Sequence, residues 1–401
     1  MSDRRPLVAV NGLFLDHPHT GTGVYTREVL ALLAAGMDGD ARRYVVLGHA
    51  EHAGHAGDAG HVGDTGHVGD AARRLPYVRL EGPLRRRSAK AEKVLWEQTL
   101  LPLAVARLRA DVLYAPYFSL PLLPGAPTVT TVHDLIPLVL PEYAPSTAFK
   151  SYFRLVSAAT RRADAVVTDS RHSAGDIARV LDVPPERIYV IPLGVDPVYS
   201  LPVPSERKEA LRVRLGLPER FILYLGGTDP RKNVVVLLRA LRALRDWGRR
   251  IPPLALGSPR RARPAQWGPD PREEAMRLGV ADDVVFLDWI ADEDKPALYA
   301  TAVAFAYPSR YEGFGLPPLE AMAAGAPVLC ADSSSLPEVT GDAALLLDPD
   351  DMESWAEALV RVSEDDALRA DLSARGRVQA RRFTWEVTVA GLRDVFERVL
   401  A

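Results

Sequence analysis

The chain has one cysteine, Cys330, in 401 residues. That excludes an internal disulfide framework and suits a reducing compartment. No apolar run approaches the roughly 20 residues that a membrane-spanning helix needs. The first apolar stretch, Leu7-Val8-Ala9-Val10 after Arg4-Arg5, is too short for the core of a secretory signal and reads as a first strand. Neither sign of charge dominates: 49 Lys and Arg stand against 52 Asp and Glu, a formal net charge of −3, so the broad basic face of a nucleic-acid binder is missing. The loop Gly21-Thr22-Gly23-Val24-Tyr25-Thr26-Arg27 stops short of a full Gly-x-Gly-x-x-Gly pattern, which argues against a dinucleotide cofactor. No Asp-x-Asp triplet directly follows any of the strands expected below, where a metal site would stand. The expectation is a cytoplasmic protein with no nucleic-acid partner, no metal and no cofactor.

What is present is a hydrophobic content of 47%, enough to fill more than one core in a chain of this length. Short apolar runs alternate with amphipathic helical stretches, the pattern of parallel sheets covered by helices. Strands are expected near Leu7–Val10, Tyr44–Leu47, Val112–Ala115, Thr128–Val132, Ala165–Thr168 and Ile188–Ile191, then near Phe221–Leu225, Leu254, Val284–Leu287, Val303–Tyr307 and Val328–Cys330. Between the two series, the Pro-rich stretch from Asp196 to Pro204 breaks the rhythm. The fold class is therefore α/β, with two Rossmann-like parallel-sheet domains. The expected borders are residues 1–195 for the first, a linker at 196–219, and 220–384 for the second, with a terminal helix over 385–401.

The stretch richest in chemistry is Glu312-Gly313-Phe314-Gly315-Leu316-Pro317-Pro318-Leu319-Glu320. Upstream, Ala302-Val303-Ala304-Phe305-Ala306-Tyr307 reads as a buried strand closed by Pro308. Downstream, the proline pair sits where a helix begins, because the first helical positions tolerate a missing N–H. The turn thus falls at the carboxyl end of a strand and at a helix N-terminus, where open sheets bind ligands. The prolines donate nothing, which leaves the amides of Gly313, Phe314, Gly315 and Leu316 beside two carboxylates that accept from hydroxyls. A polyhydroxylated ligand suits that mixture; a plain strand-turn-helix with two solvated glutamates is the alternative.

This segment resembles the Glu-x7-Glu signature of retaining glycosyltransferases of family four, which have the two-domain GT-B fold. The resemblance implies that Glu312 lies by the donor sugar, that amides of Phe314, Gly315 and Leu316 bind its hydroxyls, and that Glu320 binds the nucleotide ribose. It also implies that the terminal helix crosses back onto the first domain and that the two domains face a central cleft.

A second constellation, Gly226-Gly227-Thr228-Asp229-Pro230-Arg231-Lys232-Asn233, stands between a strand and a helix. Two adjacent cations at a helix start repel the local dipole unless an anion offsets them, and a diphosphate is such an anion. The segment is similar to the family's donor-phosphate loop, so Gly227 would approach the donor while Arg231 and Lys232 hold its phosphates. Many relatives carry a further arginine where this chain has Gly226 and Gly227. The same resemblance sets Gly21, Thr22 and Gly23 near the donor phosphates and the acceptor, and His133, in Thr131-Val132-His133-Asp134, near the donor sugar. Phe286-Leu287-Asp288-Trp289-Ile290 resembles the strand end that contacts the nucleobase, which makes Trp289 and Ile290 base-proximal, with Asp288 where the family usually has glycine. Trp96-Glu97-Gln98 looks like a first-domain helix of many relatives, read here as ordinary packing and surface charge.

Residues 49–71 depart from a packed fold. His49, His52, His55, His61 and His67 lie among Gly, Ala and Asp, and Gly60-His61-Val62-Gly63-Asp64 nearly repeats as Gly66-His67-Val68-Gly69-Asp70. A flexible insertion is favoured over metal capture, since such a tract lacks the partners that orient ligating histidines. Arg85-Arg86-Arg87-Ser88-Ala89-Lys90 could touch anionic lipid but reads as a solvated loop. The resulting expectation is a retaining, metal-independent hexosyltransferase that uses a nucleoside-diphosphate sugar as co-substrate. Its acceptor is a hydroxyl of a glycan, a lipid-linked glycan or a small metabolite. The alternatives are a nucleotide-sugar epimerase or phosphorylase-like enzyme on the same scaffold, or a nucleotide-sugar-binding protein without turnover.

Overall fold

The computed structural model describes residues 5–17, 20–36, 39–48, 74–81, 89–144, 146–257 and 270–401. The His-rich tract at 49–71 and the Arg85–Arg87 cluster lie outside the described residues. The chain divides into two compact units, Met1–Gly194 with Trp385–Ala401, and Val195–Thr384.

In the first unit the described residues form a seven-stranded sheet. Its strands are β1 (Leu7–Asn11), β2 (Arg43–Gly48), β3 (Tyr77–Arg79), β4 (Val112–Ala115), β5 (Thr128–Thr131), β6 (Ala165–Thr168) and β7 (Ile188–Val190). The order is β3-β2-β1-β4-β5-β6-β7 and each pairing is parallel. Runs such as Leu7-Val8-Ala9-Val10 and Ala165-Val166-Val167 are apolar on both faces because helices cover both, the usual reason parallel strands do not alternate. On one face, Leu47, Trp96, Leu101, Val105 and Leu113 form one cluster and Val132, Leu135, Val166 and Ile177 a second beside it.

The terminal helix, Trp385–Leu400, belongs to this unit. Phe396 is fully buried, with its ring centroid 5.2 Å from that of Tyr114 and 6.4 Å from that of Tyr44. Asp40 anchors the helix at its exposed side, where Arg393 Nε lies 2.9 Å from one carboxylate oxygen and Arg42 Nε lies 2.8 Å from the other.

The second unit carries a six-stranded parallel sheet of the described residues: β8 (Ile222–Leu225), β9 (Leu254–Gly257), β10 (Val284–Leu287), β11 (Ala304–Tyr307), β12 (Val328–Ala331) and β13 (Ala344–Leu347). Their order is β10-β9-β8-β11-β12-β13. In each sheet the order reverses once, at β1/β4 and at β8/β11, and those reversals are where doubly wound sheets open a crevice at the strands' carboxyl ends. The edge strands β3 and β13 are additions to the expected set. β3 is three residues long, and β13 follows Gly341-Asp342-Ala343, so neither shows a long bounded apolar run.

Residues 196–219 do not form a bare linker. They hold a short turn, Pro197–Ser200, and a helix, Ser205–Arg214, both within the second unit. Leu211 is the helix's one fully buried residue, so its apolar stripe was too thin to see among Glu206, Arg207, Lys208 and Glu209. Among the described residues no helix is long and apolar enough to cross a membrane.

Truncating Phe396 to Ala should destabilise the first unit by about 3–5 kcal/mol, the usual cost of an aromatic deleted from a packed core. Urea unfolding of this variant checks the helix's place; an unchanged midpoint would contradict it.

Candidate active site

Two neighbouring strands build the site in the second unit. β8 and β11 pair with Ala304 opposite Ile222, so the loops leaving their carboxyl ends lie side by side. After β8 the chain passes Gly226 and Gly227 into a short turn, Pro230–Lys232, then through Asn233 at φ 51° into the helix Val234–Asp246. After β11 it passes Pro308, Ser309, Arg310 and Tyr311 to Glu312. The loops are stitched together by their backbones: Arg310 N donates to Arg231 O at 2.7 Å, and Ser309 Oγ to the same carbonyl at 3.2 Å.

That stitching brings the expected Arg231, Lys232 and Glu312 into one cluster. Glu312 Oε1 accepts from Lys232 Nζ at 2.6 Å, from Ser309 Oγ at 2.5 Å and from Tyr307 Oη at 2.9 Å. Its Oε2 accepts from Arg231 Nη1 at 2.9 Å. Lys232 Nζ also donates to Tyr307 Oη at 2.6 Å, and Arg231 Nε lies 3.2 Å from Asp229 Oδ1. Glu312 is 8% exposed and Lys232 9%, so these charges face one another at low dielectric, where pairing is strong and an unpaired charge is costly. Burial opposes ionisation of Glu312, but Lys232, Arg231 and the donated hydrogen bonds outweigh it and hold the carboxyl down at about 2. Burial also draws the Lys232 ammonium below its usual value of 10.5; Glu312 works against that fall and Arg231 adds to it.

The turn after Glu312 is held from β12's side of the unit. Glu312 N donates to Ser334 Oγ at 2.9 Å, and Ser335 Oγ donates to the carbonyls of Glu312 at 2.9 Å and Phe314 at 2.6 Å. Gly315 stands at φ 123°, a conformation L side chains rarely adopt, and the helix Leu316–Ala324 starts directly after it with Pro317 and Pro318 in its first turn. Gly313 and Phe314 are buried, and Leu316 is half-buried. Glu320 lies further along the helix and accepts from Tyr299 Oη at 2.9 Å. Gly227 O accepts from Tyr224 Oη at 2.5 Å. Beyond β10, Trp289 is 53% exposed whereas Ile290 is buried.

The remaining expected residues lie in the first unit. Gly21, Thr22 and Gly23 open the helix Gly21–Ala35, and Gly23 N is taken by its cap, donating to Thr20 Oγ1 at 3.0 Å. His133 follows β5. Its Nδ1 lies 2.8 Å from Asp169 Oδ2 and its Nε2 lies 3.2 Å from Pro116 O. Both partners are acceptors, which suits a doubly protonated ring. Burial works against that charge, yet Asp169 raises the His133 pKa above its usual 6.5. Asp169, Tyr307, Ser309 and Tyr299 are the polar partners that sequence reasoning missed. Tyr307 was absorbed into the apolar count of a strand, while Asp169 carries no local motif. Glu97, read as packing and surface charge, is instead fully buried on a π-helical turn, Trp96–Leu100, and is bonded by Lys93 Nζ at 2.5 Å and Tyr152 Oη at 2.9 Å.

Two doubly wound parallel sheets in one chain fit the GT-B class, and solved glycosyltransferase structures share the fold. Anabaena Alr3699/HepE in complex with UDP and glucose matches with a TM-score of 0.71 at 18% identity, over 98% of this chain and 100% of that one. A glycosyltransferase from Rickettsia africae ESF-5 matches with a TM-score of 0.71 at 16% identity, over 100% of this chain and 99% of that one. The chain belongs to glycosyltransferase family 4: residues 23–199 match the family model described as Glycosyltransferase Family 4, and residues 207–379 match Glycosyl transferases group 1. O-antigen chain mannosyltransferase B of Escherichia coli is 36% identical over 259 residues, 64% of this chain and 67% of the relative. D-inositol 3-phosphate glycosyltransferase of Salinispora arenicola is 36% identical over 296 residues, 69% of this chain and 64% of the relative. Serotype-specific mannosyltransferase WbdA of Escherichia coli is 31% identical over 280 residues, and the match spans only 34% of its length.

The charge cluster predicts a pH signature. Glu312 has a folded pKa of about 2 against an ordinary 4.5, so its ionic contribution to stability is complete above 4.5 and is lost as pH falls through 2. The stability gap between wild type and Glu312→Gln should be constant near neutrality and shrink through that window. Unfolding free energies measured across it check this; a gap that stays constant would contradict it.

Proposed function

We propose that this protein transfers a hexose from a nucleoside-diphosphate sugar to an acceptor hydroxyl, with retention of anomeric configuration and without a metal. The observation that carries the reading is the Arg231–Glu312–Lys232 cluster at the carboxyl ends of β8 and β11, beside the N-terminus of the helix Leu316–Ala324. Two fixed cations and a helix N-terminus are what a departing diphosphate needs, since they offset its growing charge with little reorganisation. On this reading the diphosphate takes over Arg231 and Lys232, and Glu312 turns its freed acceptor capacity to the sugar hydroxyls. The amides of Phe314, Gly315 and Leu316 line the same turn. Trp289 and Ile290 lie by the base, and Glu320 holds the ribose.

Retention follows from a same-face route. The glycosidic carbon–oxygen bond to the diphosphate breaks, the acceptor oxygen bonds to the same face of the anomeric carbon, and the acceptor proton passes to a leaving phosphate oxygen. The resemblance to the family adds His133 and the Gly21-Thr22-Gly23 loop to this reading as residues for the sugar and the acceptor. Relatives named as mannosyltransferases and inositol phosphate glycosyltransferases support sugar transfer to hydroxyl-rich acceptors, a glycan or a small polyol. The single buried cysteine suits a reducing compartment.

Incubation with a panel of nucleotide sugars, followed by mass spectrometry, fixes the donor through binding and slow hydrolysis. With that donor, Lys232→Ala should lose about 10²–10³-fold in turnover, the usual cost of removing one preorganised charge-stabilising group. Wild-type turnover should survive EDTA. Full activity of the variant would remove Lys232 from leaving-group stabilisation, and a new nucleotide sugar formed without acceptor would replace transfer by epimerisation.

A further inference from the structure

The Glu320 carboxylate is held by groups from two other elements of the second unit. Tyr299, on the helix Lys295–Thr301, donates its hydroxyl to Glu320 Oε2 at 2.9 Å. Its ring is locked: it is 1% exposed and meets Phe305 edge-on at 5.2 Å and Tyr199 edge-on at 5.9 Å. Tyr199 comes from the turn Pro197–Ser200, in the segment whose sequence suggested only a linker, and is also buried. Burial raises the Glu320 pKa; Lys295 and the hydroxyls of Tyr299 and Tyr199 draw it back toward the charged form, while Asp292 works against them.

A carboxylate that served only packing would be better replaced by an apolar side chain, because desolvating it costs more than a neutral hydroxyl partner returns. Among the described residues no cation lies within ion-pair distance of Glu320. What the arrangement does provide is direction. Tyr299 occupies one acceptor site on one oxygen and stops the carboxylate rotating, so the remaining acceptor sites face a fixed way.

We propose that Tyr299, backed by Tyr199, is the positioning residue that sets the Glu320 carboxylate to receive the ribose hydroxyls of the donor nucleotide. This rests on the assignment of Glu320 to the ribose. A vicinal diol presents two donors to one carboxylate, and that two-point match depends on orientation in a way a single hydrogen bond does not. Tyr299 touches the carboxylate and not the ribose, so it acts through Glu320.

The test is calorimetric affinity for UDP and GDP, and for the 2′-deoxy and 3′-deoxy forms of whichever binds more tightly. The proteins are wild type, Glu320→Gln, Tyr299→Phe and Tyr199→Phe. Wild type should prefer the ribonucleotide, and Glu320→Gln should abolish that preference. Tyr299→Phe should weaken the ribonucleotide about 3- to 10-fold, as expected for one lost hydrogen bond, with the deoxynucleotides unchanged. Tyr199→Phe should shift the same ratio less, and it carries the test if Tyr299→Phe does not fold. If Glu320→Gln abolishes the preference but both tyrosine variants keep it, the positioning role is wrong while the ribose assignment stands. If Tyr299→Phe weakens ribo- and deoxynucleotides alike, the tyrosine is structural only. If Glu320→Gln leaves the ratio intact, or no nucleotide binds wild type, the ribose assignment and this proposal fall together.

Discussion

A single buried carboxylate organises the loops at the carboxyl ends of β8 and β11. Glu312 accepts from Lys232, Arg231, Ser309 and Tyr307 at once, drawing together a loop after β8, the end of β11 and the turn before the helix Leu316–Ala324. Removing Glu312 would leave the buried Lys232 ammonium without its carboxylate, which is strongly destabilising, whereas removing either cation leaves Glu312 paired with the other. The geometry therefore persists because its alternatives are expensive. On the proposed reading, that same property makes it exchangeable, with a diphosphate taking the two cations and the carboxylate turning to hydroxyl donors.

The fold supplies the place for the proposed exchange. Strands β8 and β11 are adjacent in the sheet although β9 and β10 lie between them in the chain, because the order reverses between them. Loops at such a reversal diverge to opposite faces and leave room at the strand ends. Gly315, in a conformation closed to most side chains, lets the turn reach the helix start with three residues between it and Glu312. The proline pair then opens the helix without requiring partners for two of its leading amides.

Much of this was legible in the sequence, and what escaped has physical causes. Val112–Ala115, Ala165–Thr168 and Val284–Leu287 have the expected bounds, since a parallel strand covered on both faces must be apolar throughout. Edge strands β3 and β13 are less constrained by burial, so their residues carried little pattern. The meeting of Arg231 and Lys232 with Glu312, some eighty residues away, followed in the reading from resemblance and not from local spacing. The partners of each group were invisible for the same reason: Asp169 beside His133 and Tyr299 beside Glu320 are set by tertiary packing. Charge density hid the helix Ser205–Arg214, and the Pro-rich stretch made the turn with buried Tyr199 look like a spacer.

The central claim is that Arg231 and Lys232 pass from Glu312 to a diphosphate. A crystal structure of the protein with the nucleoside diphosphate it binds most tightly tests this most directly. The account predicts phosphate oxygens within hydrogen-bond distance of both cations, with Glu312 released from at least one of them. A diphosphate bound elsewhere, with the Arg231–Glu312–Lys232 cluster intact, would contradict it.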